Sequence, residues 1–552
     1  MGEAGVISLL QHYLLRSAER VPGATAIVMG AQRLSYGELE ATSNRLARML
    51  VENGCGRGDR VCLLAPKSPA TVLGMLSVLK AGGAYVPIDV SSPAARVARI
   101  IASAEPRIIL ASPDASALVD DLRATGSLSP DVPIGLLEHP APDHSFEAAF
   151  GPQDWRSCSP DPLSCPSGPE DLAHLLFTSG STGIPKGVMI SHSNAIAFVE
   201  WATSYFKITS SDRVSGHAPF HFDLSTFDLY GSLCAGAELH LVPPEASVLP
   251  SRLAELIRDG ELTQWFSVPS VLSYMAKFDV VSDDTLGSLQ RVIWCGEVLP
   301  TPTLIHWMRQ LPRARFTNLY GPTEATIASS YHTVSECPRD SGAPIPIGRP
   351  CGGEELAVLD GEMRPVPEGE IGDLYIGGVG LSPGYWRDED KTRAAFRPHP
   401  SSANPRARLY RTGDLARVRG DGLVYFLGRV DSQVKSRGYR IELGEIETAL
   451  NALERLKESA VVGVASDGFE GTAICCAYAP MEGEEIAPAE IRSKLADALP
   501  SYMFPSRWMS FDQLPKNLNG KIDRRRLKEL FEDQMKGFEP GGQRPVSAPL
   551  AT

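Results

Sequence analysis

Leu175-Leu176-Phe177-Thr178-Ser179-Gly180-Ser181-Thr182-Gly183-Ile184-Pro185-Lys186-Gly187 carries an apolar run into a loop of hydroxyls and glycines that a lysine closes. Residues without a Cβ let backbone N–H groups turn toward an anion, the hydroxyls add donors, and Lys186 adds a mobile positive charge. Those are the needs of a polyphosphate. The spacing departs from the common P-loop, because no Gly-Lys-Ser/Thr follows the glycines. By composition alone such a loop is more often a solvated connection, so its reading turns on what surrounds it.

Working outward, short apolar runs at Arg60–Leu64, Ala84–Ile88 and Glu238–Val242 predict buried strands. Amphipathic stretches at Tyr36–Val51 and Ala70–Lys80 predict helices between them. Strands alternating with helices imply parallel sheets covered on both faces. The Pro/Ser/Asp-rich stretch from Ser127 to Glu170 predicts a surface excursion ahead of the loop. From Ile345 to Phe426 short strands and Gly-rich turns predict a small β-barrel-like unit, and after Asp431 the pattern becomes a compact α+β module. Gly537–Thr552, rich in Gly, Pro and Ala, predicts a disordered tail.

With 552 residues, 43% of them hydrophobic, the chain can bury more than one core. Its net charge of −13 argues against a general nucleic-acid binder. Met1–Arg16 has an acidic residue near its start and no cleavage-like site, so it does not read as a signal peptide. No apolar run reaches bilayer-spanning length, so no membrane partner is expected. The 10 cysteines include one adjacent pair, Cys475-Cys476, and no CxxC. They read as reduced thiols of a cytoplasmic protein rather than a disulfide framework or zinc site.

Four further motifs bear on the loop. Asn318-Leu319-Tyr320-Gly321-Pro322-Thr323-Glu324 offers an aromatic for a purine, a threonine for phosphate and a carboxylate for Mg²⁺. Tyr410-Arg411-Thr412-Gly413-Asp414-Leu415 offers a carboxylate that could accept from both hydroxyls of a ribose. Gly428-Arg429-Val430-Asp431, followed by Lys435–Arg440, mixes charge and glycine as a hinge does. Pro515–Asp523 sets Lys521 after Asn519-Gly520, on a tight turn. Singly, each has a plain alternative: a Gly-Pro turn with a solvated Glu, an Asp-capped turn, a charged loop, a surface lysine.

Together and in this order, from about Tyr36 to Lys521, they resemble the adenylate-forming enzymes: acyl-CoA synthetases, luciferases and the adenylation domains of nonribosomal peptide synthesis. Leu79–Asp89 and Gly321–Glu324 look most like the amino-acid-activating members. The resemblance implies an α/β fold, with two doubly wound αβαβα sheets and a small β-barrel over 1–430. A mobile α+β domain over 431–536 and the tail over 537–552 would follow. It also implies ATP and Mg²⁺. A carboxylate attacks the α-phosphate to give an acyl-adenylate and pyrophosphate, the small domain swings, and a phosphopantetheine thiol takes the acyl group.

By motif match, Lys521 bridges the substrate carboxylate and the α-phosphate. Thr178, Ser179, Gly180, Ser181, Thr182, Gly183 and Lys186 hold the pyrophosphoryl end, Thr178 being counted catalytic with Lys521 and Glu324. Glu324 binds Mg²⁺, Tyr320 stacks on adenine, Asn318 meets its edge, and Asp414 with Arg429 takes the ribose. Gly296, Glu297, Gly321, Thr323 and Phe426 complete the nucleotide set, and Asp431 is the hinge. Asp223 would pair with a substrate ammonium, since a buried carboxylate without a cation is costly. Its alternative is a helix N-cap before Leu224. The pocket carried over with it is Leu224, Phe227, Ser267, Ile293, Cys295, Leu319, Gly321, Ile327 and Ala328, apolar and without a complementary charge. Phe227 and Leu319 would limit its depth.

These positions favour a small neutral amino acid, alanine first, then glycine or serine. The set also resembles proline-activating enzymes, departing at Ser267, Cys295 and Ala328. Because the chain ends shortly after Lys521, without a Gly-Gly-His-Ser-like attachment site, a free-standing ligase charging a separate carrier protein is expected. Arg524-Arg525-Arg526 and Lys528 would suit an acidic carrier. A CoA ligase for a small carboxylic acid is the alternative; Asp223 disfavours it. A silent homologue is disfavoured by the presence of Lys521, Glu324 and Asp414.

Overall fold

Ser35-Tyr36-Gly37-Glu38 shows how local chemistry starts an element. The Ser35 Oγ accepts from the Glu38 N–H at 3.2 Å, and the Glu38 carboxylate accepts from the Ser35 N–H at 2.8 Å. This reciprocal cap begins the helix Tyr36–Glu52. Ser68 caps the next helix, Pro69–Lys80, whose first-turn proline lacks a donor that would have gone unpaired anyway.

The computed structural model describes residues 7–139, 145–180, 184–247, 249–431, 433–466, 471–517 and 522–536. The chain divides into two compact units, the first ending at Asp431. In the first, a six-stranded sheet runs in the order Ile134–Leu136, Ile108–Ala111, Arg60–Leu64, Ala84–Ile88, Leu172–Thr178, Lys186–Ser191. A nine-stranded sheet is centred on Arg213–Gly216, Gln264–Ser267, Arg291–Cys295 and Arg315–Tyr320. A five-stranded antiparallel sheet is built from strands between Glu354 and Arg429.

Arg60–Leu64 explains the layering. Val61 and Leu63 enter one hydrophobic core while Cys62 and Leu64 enter another on the opposite face. A strand buried on both faces needs a continuous apolar run, and each such side chain contributes about 1.5–3 kcal/mol. The sheets are mixed rather than purely parallel. Lys186–Ser191 returns antiparallel to Leu172–Thr178, and Gln32–Ser35 and Ser330–Val334 are antiparallel in the larger sheet. Short reversals need only a tight loop, whereas a parallel neighbour needs a crossover.

The expected surface excursion from Ser127 to Glu170 is corrected by this fold. Ile134–Leu136 pairs in parallel with Ile108–Ala111 as the sheet's edge strand. Leu128, Phe146, Phe150 and Trp155 are buried, and Trp155 Nε1 donates to the Leu136 carbonyl. Three strand residues and scattered aromatics hold a segment whose composition reads as loop.

The second unit pairs Gln433–Ser436 with Tyr439–Glu442 and builds a three-stranded sheet from Leu456–Ala465, Thr472–Pro480 and Arg507–Ser510. Cys475 and Cys476 alternate to opposite faces of this sheet, each inside its own apolar cluster. The ten cysteines are free thiols. Among the described residues, no helix is long and apolar enough to cross a membrane. The tail at 537–552 lies outside them.

Candidate active site

The hydroxyl- and glycine-rich loop joins two antiparallel strands, Leu172–Thr178 and Lys186–Ser191. Thr178 and Lys186 face each other across the antiparallel pair. A Cβ at Gly180 would lie 2.1 Å from the Ile184 carbonyl oxygen, so only glycine permits this turn. The Thr178 Oγ1 is buried and has no protein partner among the described residues. An orphaned buried donor at the mouth of a glycine-cradled loop fits an external acceptor such as a phosphate oxygen. Ser181, Thr182 and Gly183 lie outside the described residues.

A second group gathers where Arg315–Tyr320 ends. The Tyr320 hydroxyl donates to Asp414 Oδ2, and Arg429 Nη1 donates to Asp414 Oδ1 at 2.5 Å. Arg429 continues to Asp431 through two hydrogen bonds of 2.7 and 2.6 Å. Burial, reinforced by the Asp414 carboxylate, holds the Tyr320 phenol well above its ordinary pKa, so it stays a neutral donor. Phe426 lies beside the Tyr320 ring at 6.5 Å. Asn318, two residues earlier and on the same strand face, donates to the Pro346 carbonyl at 2.9 Å.

Glu324 is fully buried, and the Tyr385 hydroxyl donates to its Oε1 at 2.7 Å. Glu297 caps the helix Pro269–Lys277 by accepting from the Ser270 N–H at 3.0 Å, and Gly296 before it has φ = 100°. Thr323, expected toward phosphate, donates instead to Asp223 Oδ2 at 2.8 Å. Asp223 occupies the position before the helix Leu224–Ala235 but makes no capping hydrogen bond, which removes its plain N-cap alternative.

Leu224, Phe227, Ile293, Cys295, Leu319, Ile327 and Ala328 fall into one apolar cluster. Phe227 is 1% exposed and packs against Phe198, Phe206 and Phe266, so it is the floor of this region and part of the core. The Ser267 hydroxyl accepts from Trp265 Nε1 at 2.9 Å. Gly321 is constrained from the other side, where a Cβ would sit 2.5 Å from the Ala328 Cα. Opposite it, Ile327 has φ = 72° and is spanned by an Ala328 N–H to Thr326 carbonyl bond. That is a γ-turn of the strained, positive-φ kind, unusual for a β-branched residue.

The sequence profile of the AMP-binding enzymes matches residues 14–386, and that of their C-terminal domain matches 445–521. The chain belongs to the AMP-binding, adenylate-forming enzymes. It is 37% identical over 522 residues to an L-proline–[L-prolyl-carrier protein] ligase of Streptomyces coelicolor, covering 93% of this chain and 95% of the relative. It is 37% identical over 524 residues to surfactin synthase subunit 2 of Bacillus subtilis, covering 95% of this chain but 14% of the relative. It spans 44% of the length of tyrocidine synthase 1 of Brevibacillus parabrevis and 7% of that of malpinin synthetase of Mortierella alpina. The crystal structure of the Vibrio cholerae adenylation domain AlmE, in complex with glycyl-adenosine-5′-phosphate, matches with TM-score 0.82 and 25% identity, over 97% of this chain and 99% of that one. The chain is thus an adenylation domain of the kind found in nonribosomal peptide synthesis.

For an AMP-binding enzyme, the residues present fit the metal the family implies. Glu324 is a buried carboxylate with hard oxygen donors, suited to Mg²⁺. Among the described residues no three His, Cys, Asp or Glu side chains cluster as a metal cage. Lys521 lies outside the described residues.

Sequence reasoning missed two buried polar side chains. One is Tyr385. The other is Lys67, whose ammonium donates to the carbonyls of Gly216 and His217 at 2.9 and 2.7 Å, in the segment leading to Asp223. Burial lowers its pKa to about 7, against the opposing pull of Asp228. A single buried lysine or tyrosine carries no spacing signal; only the fold reveals it.

Proposed function

We propose that this AMP-binding enzyme activates a small neutral amino acid, alanine first and then glycine or serine, and passes it to the phosphopantetheine thiol of a carrier protein. The observation that carries the reading is Asp223. It is a half-buried carboxylate, aligned by Thr323, at the head of a helix whose next residues enter an apolar cluster. Such a carboxylate suits a substrate ammonium, while the uncharged lining suits a short side chain.

One carboxylate oxygen of the amino acid attacks the α-phosphorus of ATP, and the bond to the bridging oxygen breaks to release pyrophosphate. Lys521 neutralises the two anions that must meet. Asp414, fixed by Tyr320 and Arg429, takes the ribose hydroxyls, while Thr178 and Lys186 hold the departing phosphates. Mg²⁺, held by Glu324, would offset the charge of the leaving group. Placing preset dipoles and charges where anions meet supplies most of the acceleration. In the second half-reaction the thiol sulfur displaces AMP from the acyl carbon. Asp431, tied to Arg429, would serve as the hinge between the two steps.

Proline is the second reading, favoured by the prolyl-carrier ligase that matches over 95% of its own length. Amino-acid-dependent ATP–pyrophosphate exchange across amino and carboxylic acids tests both. An optimum at alanine, glycine or serine supports the first, an optimum at proline the second. Exchange with propionate in preference to alanine would sink the amino-acid assignment.

A further inference from the structure

Tyr385 touches two of the groups assigned to ATP handling, Lys186 and Glu324. Its hydroxyl donates to Glu324 Oε1 at 2.7 Å, and the Lys186 ammonium stands 5.3 Å from its ring centroid. Tyr385 itself is 5% exposed and Glu324 is 0% exposed. Its backbone is anchored to the strand that carries Lys186. Met189 N–H donates to Gly384 at 3.0 Å, Trp386 N–H donates to Gly187 at 2.7 Å, and Tyr385 bridges Val188. The Glu324 side is tied in as well: Ser382 N–H donates to the Glu324 carbonyl at 2.9 Å, and Ser382 Oγ donates to Met189 at 2.6 Å.

We propose that Tyr385 is a positioning residue that sets the phosphate-loop lysine and the metal-binding carboxylate at a fixed separation. The ring face attracts the ammonium through its quadrupole, and the phenol fixes the rotation of the carboxylate. A cation for the phosphates and a carboxylate for Mg²⁺ gain most when their spacing matches one MgATP, because neither then has to reorganise as the nucleotide arrives. The inference rests on the reading of this site as an ATP-dependent amino-acid ligase.

Two variants separate the two contacts. Tyr385→Phe keeps the ring and removes the donor; Tyr385→Leu removes both. Titration calorimetry of ATP, with and without Mg²⁺, reads the site independently of turnover. For Tyr385→Phe, ATP affinity without Mg²⁺ is expected to match wild type, while affinity with Mg²⁺ and the Mg²⁺ midpoint of exchange weaken about fivefold, the worth of one hydrogen bond. For Tyr385→Leu, affinity without Mg²⁺ should also fall, about threefold for the loss of a cation–π contact at 5.3 Å. The amino-acid KM should stay at the wild-type value in both.

Coincident Mg²⁺ curves for wild type and Tyr385→Phe would overturn the proposal. So would a common loss in which amino-acid KM, ATP affinity and melting temperature all move together, since that marks plain packing. If wild type showed no exchange with any amino or carboxylic acid, the ligase reading would fall, while the calorimetric arms would still decide whether Tyr385 couples the lysine to the metal.

Discussion

Leu319 and Tyr320 are neighbours on one strand, and they open onto two differently built regions. Tyr320 turns to a corner made of charges, where Asp414 and Arg429 meet at 2.5 Å and Asp431 extends the chain. Leu319 turns to a region made of core, among Phe227, Ile293, Cys295 and Ile327. Strand alternation alone separates them. The corner is specified by residue type, because a buried carboxylate without its donors would be costly. The pocket is specified by volume, because its residues would serve in any core. One region can therefore be read by chemistry, the other only by shape.

The largest test of that contrast removes a charge. Lys521→Ala should cut adenylation by about 10²–10³-fold, by analogy with a lost oxyanion donor, while sparing thioester formation from pre-made aminoacyl-AMP. Equal loss in both half-reactions would make the lysine structural. Next, Asp223→Ala should raise the amino-acid KM by roughly 10–100-fold, the worth of a charged hydrogen bond, with the ATP KM unchanged. Thr323→Val should move the same parameter about fivefold. A larger effect on ATP than on the amino acid would return Thr323 to the phosphates.

On the shape side, Phe227→Ala should admit longer aliphatic amino acids in exchange assays. It should also cost about 3 kcal/mol of stability, because the ring is core as well as floor. Wider substrate use with an unchanged melting temperature would show that the ring is packed only against substrate.

A gentler contrast is between the two units. The first unit buries His192, whose Nδ1 accepts from the Leu10 N–H at 3.2 Å and is therefore unprotonated. Burial lowers its pKa to about 4, and that of His174 to about 3. The unfolded chain, titrating near 6.5, binds protons that these folded sites refuse, so stability falls as pH drops below 6.5. By pH 5 each fully buried histidine should cost about 2 kcal/mol. No histidine follows His399, so the second unit lacks this term. Amide exchange at pH 7 and 5 should show the first unit losing protection selectively; parallel losses would break the contrast.

The motifs were legible because their residue types are improbable together. Strands such as Arg60–Leu64 were legible from their unbroken apolar run. Ser127–Glu170 was not, since its edge strand is three residues long and its anchors, Phe150 and Trp155, are isolated among turn formers. Thr323 was read by its motif neighbours as a phosphate donor, and only folding brings Asp223, a hundred positions away, to its hydroxyl. Tyr385 sits in the run Pro383-Gly384-Tyr385-Trp386, where sequence offers composition and nothing more.

The turn at Ile327 bears on how such a domain changes substrate. Its left-handed backbone favours glycine or asparagine over any β-branched side chain, so replacements there are filtered by dihedral angle before they are filtered by fit. A mutational library that varies this position with the rest of the lining should return few replacements here, because Ile327→Gly relieves a left-handed penalty of roughly 1–2 kcal/mol but forfeits about 2–5 kcal/mol of buried side chain, and Ile327→Asn buries an amide. Diversification would then run through the neighbouring lining positions more readily than through this one, a bias in accessible evolutionary routes written into one backbone angle.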